Sequence, residues 1–80
     1  MALHLALKML NDGKFKKASK LYRYALSLDP ANSDALASYG EFLEMHRNDV
    51  VKAEHFYARA LACEPQHDKA LSNRKRALPL

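Results

Sequence analysis

With 80 residues, 49% of them hydrophobic and 28% charged, the chain has room for one small domain and enough apolar material to offset the cost of ordering it. A single cysteine, Cys63, excludes an internal disulfide framework, and no uninterrupted apolar run approaches the roughly 20 residues that a membrane span requires. The formal charge of +4 is uneven: residues 1–30 carry six basic and two acidic side chains, residues 31–63 carry three and five, and residues 64–80 carry four and two.

Two glycines and three prolines leave few interruptions, which favours helices over a turn-rich sheet. The first expected helix runs from Ala2 to Leu10. The stretch from Met1 is apolar but holds His4 and Lys8 and lacks a small-residue cleavage signature, so it reads as a helix face and not as a targeting signal. Asn11, Asp12 and Gly13 form a turn, with Gly13 free to take a positive φ. A second helix, Lys14 to Leu28, carries Phe15, Ala18, Tyr22, Ala25 and Leu26 as one apolar stripe. It stops at Asp29–Pro30, because proline removes a donor and clashes with the preceding turn. A third helix, Ser33 to Met45, places Leu36, Tyr39, Gly40 and Leu43 on one side. Asn32 can cap it, and Asp34 suits the positive end of its dipole. Gly40 in its middle costs about 1 kcal/mol against alanine, which is reasonable where a paired helix packs too closely for a side chain. A glycine-free turn, His46 to Asp49, leads to a fourth helix, Asp49 to Cys63. Its stripe is Val50, Ala53, Tyr57, Ala60 and Leu61, and it stops at Glu64–Pro65. A fifth helix, Asp68 to Leu78, leads into an apolar end, Leu78, Pro79 and Leu80, that looks cut.

Ala18, Tyr22, Ala25, Leu26 and Pro30 return as Ala53, Tyr57, Ala60, Leu61 and Pro65, each pair at the same offset of 35 residues. One helix pair cannot cover its own apolar stripe, whereas stacked pairs can. The expected fold is therefore all-α, with antiparallel helix pairs stacked as a short solenoid of about five helices. The small alanines admit a neighbouring helix and the aromatic rings fill the wider gaps.

The repeat resembles the tetratricopeptide repeat. Gly13, Phe15, Ala18, Tyr22, Ala25 and Pro30 carry the resemblance in the first copy, and Gly40, Ala53, Tyr57, Ala60 and Pro65 in the second. Ala6 stands where glycine is usual, and Ala2 and Leu36 where tryptophan is common. On this reading residues 1–32 are a first repeat, residues 33–66 a second, and residues 67–80 a capping helix and the start of a linker to a missing domain. The tail ALSNRKRALPL, Ala70 to Leu80, and the second repeat with its longer turn are similar to the same parts of animal Fic-domain protein adenylyltransferases. That resemblance implies a catalytic domain downstream in the parent protein. The enzymes are single-pass membrane proteins facing the endoplasmic reticulum lumen. They move AMP from ATP, with Mg, onto a hydroxyl of the resident heat-shock chaperone (AMPylation) and can remove it again. It also implies that the repeats hold the chaperone. The family's catalytic loop and autoinhibitory glutamate helix have no counterpart here.

No residue set points to chemistry within the chain itself, so catalytic, cofactor and metal sites are all expected to be none. His4, His46, His55 and His67 show no metal-ligand spacing and read as surface or turn residues. Cys63 lies at the edge of an apolar stripe with no base in view and reads as a buried, inert thiol. The serines lack a triad context, and no glycine-rich phosphate cradle exists. Lys14, Lys16, Lys17, Lys20 and Arg23 are a candidate partner-binding group. Lys16, Lys20 and Arg23 share a helical side and Lys17 points elsewhere. The group reads as a solvated face or a docking patch for an acidic protein surface, with nucleic acid the weaker option. Arg74, Lys75 and Arg76 equally suit a solvated helix end. On the third helix Asp34, Ala37, Ser38, Glu41, Glu44 and Met45 would line the concave side of a solenoid. Those acids oppose capture of a peptide carboxylate, for which only Lys69 and Asn73 remain as remnants. The expected role is protein docking, either of the chaperone or as a generic scaffold that binds another protein or packs on its own chain.

Overall fold

The computed structural model describes residues 2–77, in which five helices and no strand form. They are α1 (Ala2–Asn11), α2 (Phe15–Leu28), α3 (Ser33–Arg47), α4 (Val50–Cys63) and α5 (Asp68–Ala77). The expected end of the fifth helix at Leu78 and the Leu78–Pro79–Leu80 terminus lie outside the described residues.

The ends of the helices follow local chemistry. α1 closes on Gly13 at φ 76°, with the Gly13 N–H donating to the Leu10 carbonyl at 3.0 Å and the Lys14 N–H to the Met9 carbonyl at 2.8 Å. This paired pattern satisfies carbonyls that the helix end leaves open. Lys14 and Asp49, expected to open α2 and α4, are instead their N-caps. The Asn32 side chain accepts the Ala35 N–H at 3.1 Å and the Asp49 side chain accepts the Lys52 N–H at 3.1 Å. The turn that lacks glycine is made by Asn48, whose φ of 53° is left-handed. Asparagine tolerates that region better than other side chains. It lets the Asp49 N–H reach the Leu43 carbonyl at 2.9 Å.

The chain divides into two compact units, the first ending at Pro30 and the second beginning at Ala31. In the first, α1 and α2 pair as a helical hairpin, and Ala6, Ala18, Tyr22 and Ala25 are buried. In the second, α3 packs on α4, and α5 packs mainly on α4 and at fewer points on α3. Leu36, Tyr39, Gly40, Phe42, Leu43, Ala53, Tyr57 and Ala60 are buried there. The Tyr39 ring meets Phe56 edge-on at 4.8 Å between centroids.

Three stripe residues differ from expectation. Phe15 and its repeat counterpart Val50 are exposed, 39% and 43%, because each is the first residue of its helix, a turn ahead of the first buried alanine. Cys63 is exposed, as is its counterpart Leu28. Each ends its helix beyond the last buried alanine. Leu26 and Leu61 are half-buried.

Gly40 fixes the α3–α4 approach. A Cβ there would lie 2.6 Å and 2.8 Å from two ring carbons of Tyr57 and 3.1 Å from the Ala53 carbonyl oxygen. The Tyr57 ring is fully buried and cannot swing aside, and Ala53 offers only backbone. Gly40→Ala should therefore destabilise by about 1–2 kcal/mol, because overpacking outweighs the gain in helix propensity. A urea melt of the variant checks this, and a raised midpoint would refute the close-packing account.

Candidate functional site

The five cations of the candidate partner-binding group all lie on or beside α2 and all are exposed. Lys14 holds the N-cap position but makes no side-chain cap. Lys16 and Lys17 follow in the first turn, which holds no acid. Lys20 and Arg23 continue the side that Lys16 begins. Positive charge at a helix start opposes the dipole, so this end carries an uncompensated positive field. Among the described residues no ion pair engages any of the five.

The acids of α3 are arranged differently from expectation. The candidate lining is only partly open, because α5 and the residue before it pair with its carboxylates, while Asp34 stays exposed. His67 Nε2 lies 2.6 Å from Asp34 Oδ1. Lys69 Nζ and Asn73 Nδ2 donate to the two oxygens of Glu41 at 3.3 Å and 3.1 Å. Arg76 donates to both oxygens of Glu44 at 3.2 Å each, a two-pronged match of planar groups. Arg74 pairs with Glu54 of α4. Ala37 and Ser38 are buried, and Met45 is exposed at the far end of the row.

Several single-residue expectations change with this. Arg74 and Arg76 are not a solvated helix end, although Lys75 is exposed. Lys69 and Asn73 are engaged by Glu41 and are not free for a carboxylate ligand. His67 is buried, while His4, His46 and His55 are exposed. Its Nδ1 accepts the Ala70 N–H at 3.2 Å, so it caps α5. With Nδ1 accepting, the ring proton sits on Nε2 and is given to Asp34. The signal for this network was present in the opposite charge balances of residues 31–63 and 64–80.

Glu44 is the node of the network. Burial would raise its carboxyl, but the Arg76 hydrogen bond, then that from Tyr57, and the Arg76 charge outweigh this and hold it below the ordinary carboxylate range. The Tyr57 hydroxyl donates to Glu44 Oε1 at 2.8 Å, and its phenol is pushed up, first by burial and then by Glu44.

Residues 9–78 match the family profile described as Tetratricopeptide repeat. This chain belongs to the tetratricopeptide-repeat family. Among curated proteins the tetratricopeptide segment is similar to the protein adenylyltransferase Fic of Nematostella vectensis, 53% identical over 78 residues, which is 98% of this chain and 18% of that relative. It is similar to the protein adenylyltransferase Fic of Aedes aegypti at 45% over 75 residues, 94% of this chain and 15% of that relative. The chain thus spans less than a fifth of the length of these two relatives. Tetratricopeptide modules mediate protein–protein interaction, and the matched region is a repeat, not a catalytic domain. Among the described residues no group of three or more His, Cys, Asp or Glu is placed to hold a metal, and no helix is long and apolar enough to cross a membrane.

The lowered Glu44 carboxyl has a definite sign. A depressed folded value contributes stability above the unfolded carboxylate value, about 4.3, and that contribution is lost as pH falls through the folded value. The thermal midpoint should therefore drop in acid more steeply for the native chain than for Glu44→Gln. Parallel pH profiles for the two would contradict the assignment.

Proposed function

We propose that this tetratricopeptide segment is a protein-docking module that recruits the endoplasmic-reticulum heat-shock chaperone to a Fic adenylyltransferase domain elsewhere in its parent protein. The parent would use ATP with Mg to move AMP onto a protein hydroxyl and to remove it, and would sit as a single-pass membrane protein facing the lumen. The reading is supported by the similarity to two Fic adenylyltransferases over nearly the whole of this chain. The observation that carries the docking surface is the exposed row Lys14, Lys16, Lys17, Lys20 and Arg23, which no described acid neutralises. Such a row steers an acidic protein surface and sets its register. Docking raises the local concentration of substrate at a tethered active site and leaves the chemical barrier to the catalytic domain.

A second reading is a scaffold that packs on its own chain or on another protein. It is favoured by the exposed apolar residues Leu5, Leu7, Tyr24 and Leu28 of α1 and α2.

Reversal of Lys17 and Lys20 to glutamate distinguishes the two. On the docking reading the double variant keeps its melting temperature and binds the chaperone about tenfold or more weakly. Unchanged chaperone affinity in a folded variant would discard the α2 row as the docking patch.

A further inference from the structure

α5 is attached to the second unit in a different manner from α3 and α4. Those two helices pack closely, with Gly40 against the buried Tyr57 ring and Tyr39 against Phe56. Among the described side chains of α5, Ala70 is the only fully buried apolar one, Leu71 is half-buried, and Asn73 is a buried polar group. Its remaining links are ionic or polar: Lys69 and Asn73 to Glu41, Arg74 to Glu54, and Arg76 to Glu44. His67 adds the tie to Asp34. Ala70 and the half-buried Leu71 cover little apolar surface, so the charge pairs acting together are a large share of the attachment.

We propose that α5 is an ionically latched cover, which detaches from the α3–α4 pair as an intact helix and bares the carboxylates of Glu41 and Glu44 beside the already exposed Asp34. Two further features fit detachment of the whole helix. The cap of α5 comes from His67 in its own segment, so the helix keeps that cap when it leaves. The packing of Gly40 against Tyr57 and Ala53 is made by α3 and α4 alone, although the Tyr57 hydroxyl shares Glu44 with Arg76. Elements with few buried apolar contacts open at lower free energy than the core beneath them. Salt distinguishes the two kinds of attachment, since it screens charge pairs and leaves apolar burial in place.

Amide hydrogen exchange on the 80-residue chain tests this. Raising salt from about 0.05 M to about 1 M should lower protection of the Leu71–Arg74 amides about tenfold relative to the Tyr57–Ala60 amides of α4. Glu41→Gln, and separately Arg76→Gln, should produce the same selective loss at low salt. Neither substitution touches the Gly40–Tyr57 contact, so α4 protection serves as the folding control. The latch is overturned if α5 protection ignores both salt and the substitutions. It is equally overturned if α4 loses protection in step with α5, because the helix would then be an integral part of one cooperative unit.

Discussion

The second unit depends on how closely α3 and α4 approach at Gly40. The absence of a side chain there admits the Tyr57 ring, which is fully buried. Once the ring is seated, its hydroxyl reaches Glu44, one turn beyond Gly40 on the same helix. Glu44 in turn gathers Arg76 from α5. A steric fact about one backbone position is thereby passed through a phenol and a carboxylate to the placement of a third helix. Removing any link leaves a partly buried polar group without its partner, and such groups are costly to desolvate alone.

Charge is divided between two uses. In the second unit opposite charges are spent on one another: acids of α3 and α4 meet the basic groups of α5. Exposed pairs of this kind contribute little individually, roughly 0.2–1 kcal/mol, but Glu44 retains only 14% of its exposure and binds two partners at once. In the first unit the cations of α2 face solvent at a helix start, where the dipole adds to their field. The net charge of +4 therefore understates the polarity of the surface, and the unneutralised part is concentrated on one helix.

Much of this architecture was legible in the sequence. The stripe Ala18, Tyr22, Ala53 and Tyr57 and the mid-helix Gly40 are readable because helical spacing and small-residue packing are local rules. The acid–proline pairs and the capping residue Asn32 mark helix ends for the same reason, whereas Asp49, expected inside α4, turns out to cap it. The pairing of Arg76 with Glu44 was not legible, since residues 32 apart come together only once three helices have folded. Periodicity also overextends the core. It places Phe15, Val50 and Cys63 on the buried stripe, whereas the helix ends lie beyond the cover of their neighbours. His67 sits in a turn as its position suggests, but its burial was not legible, because that depends on partners for both ring nitrogens.

The left-handed Asn48 has a consequence for where such repeats tolerate change. It stands 35 residues after Gly13, which also has a positive φ, so the two hairpins reverse at equivalent positions. A residue inserted within a helix rotates everything downstream by about 100°, which would turn Ala53 and Tyr57 away from Gly40. The bend lies outside both helices, so the angular phase of α4 is set there without any change inside either one.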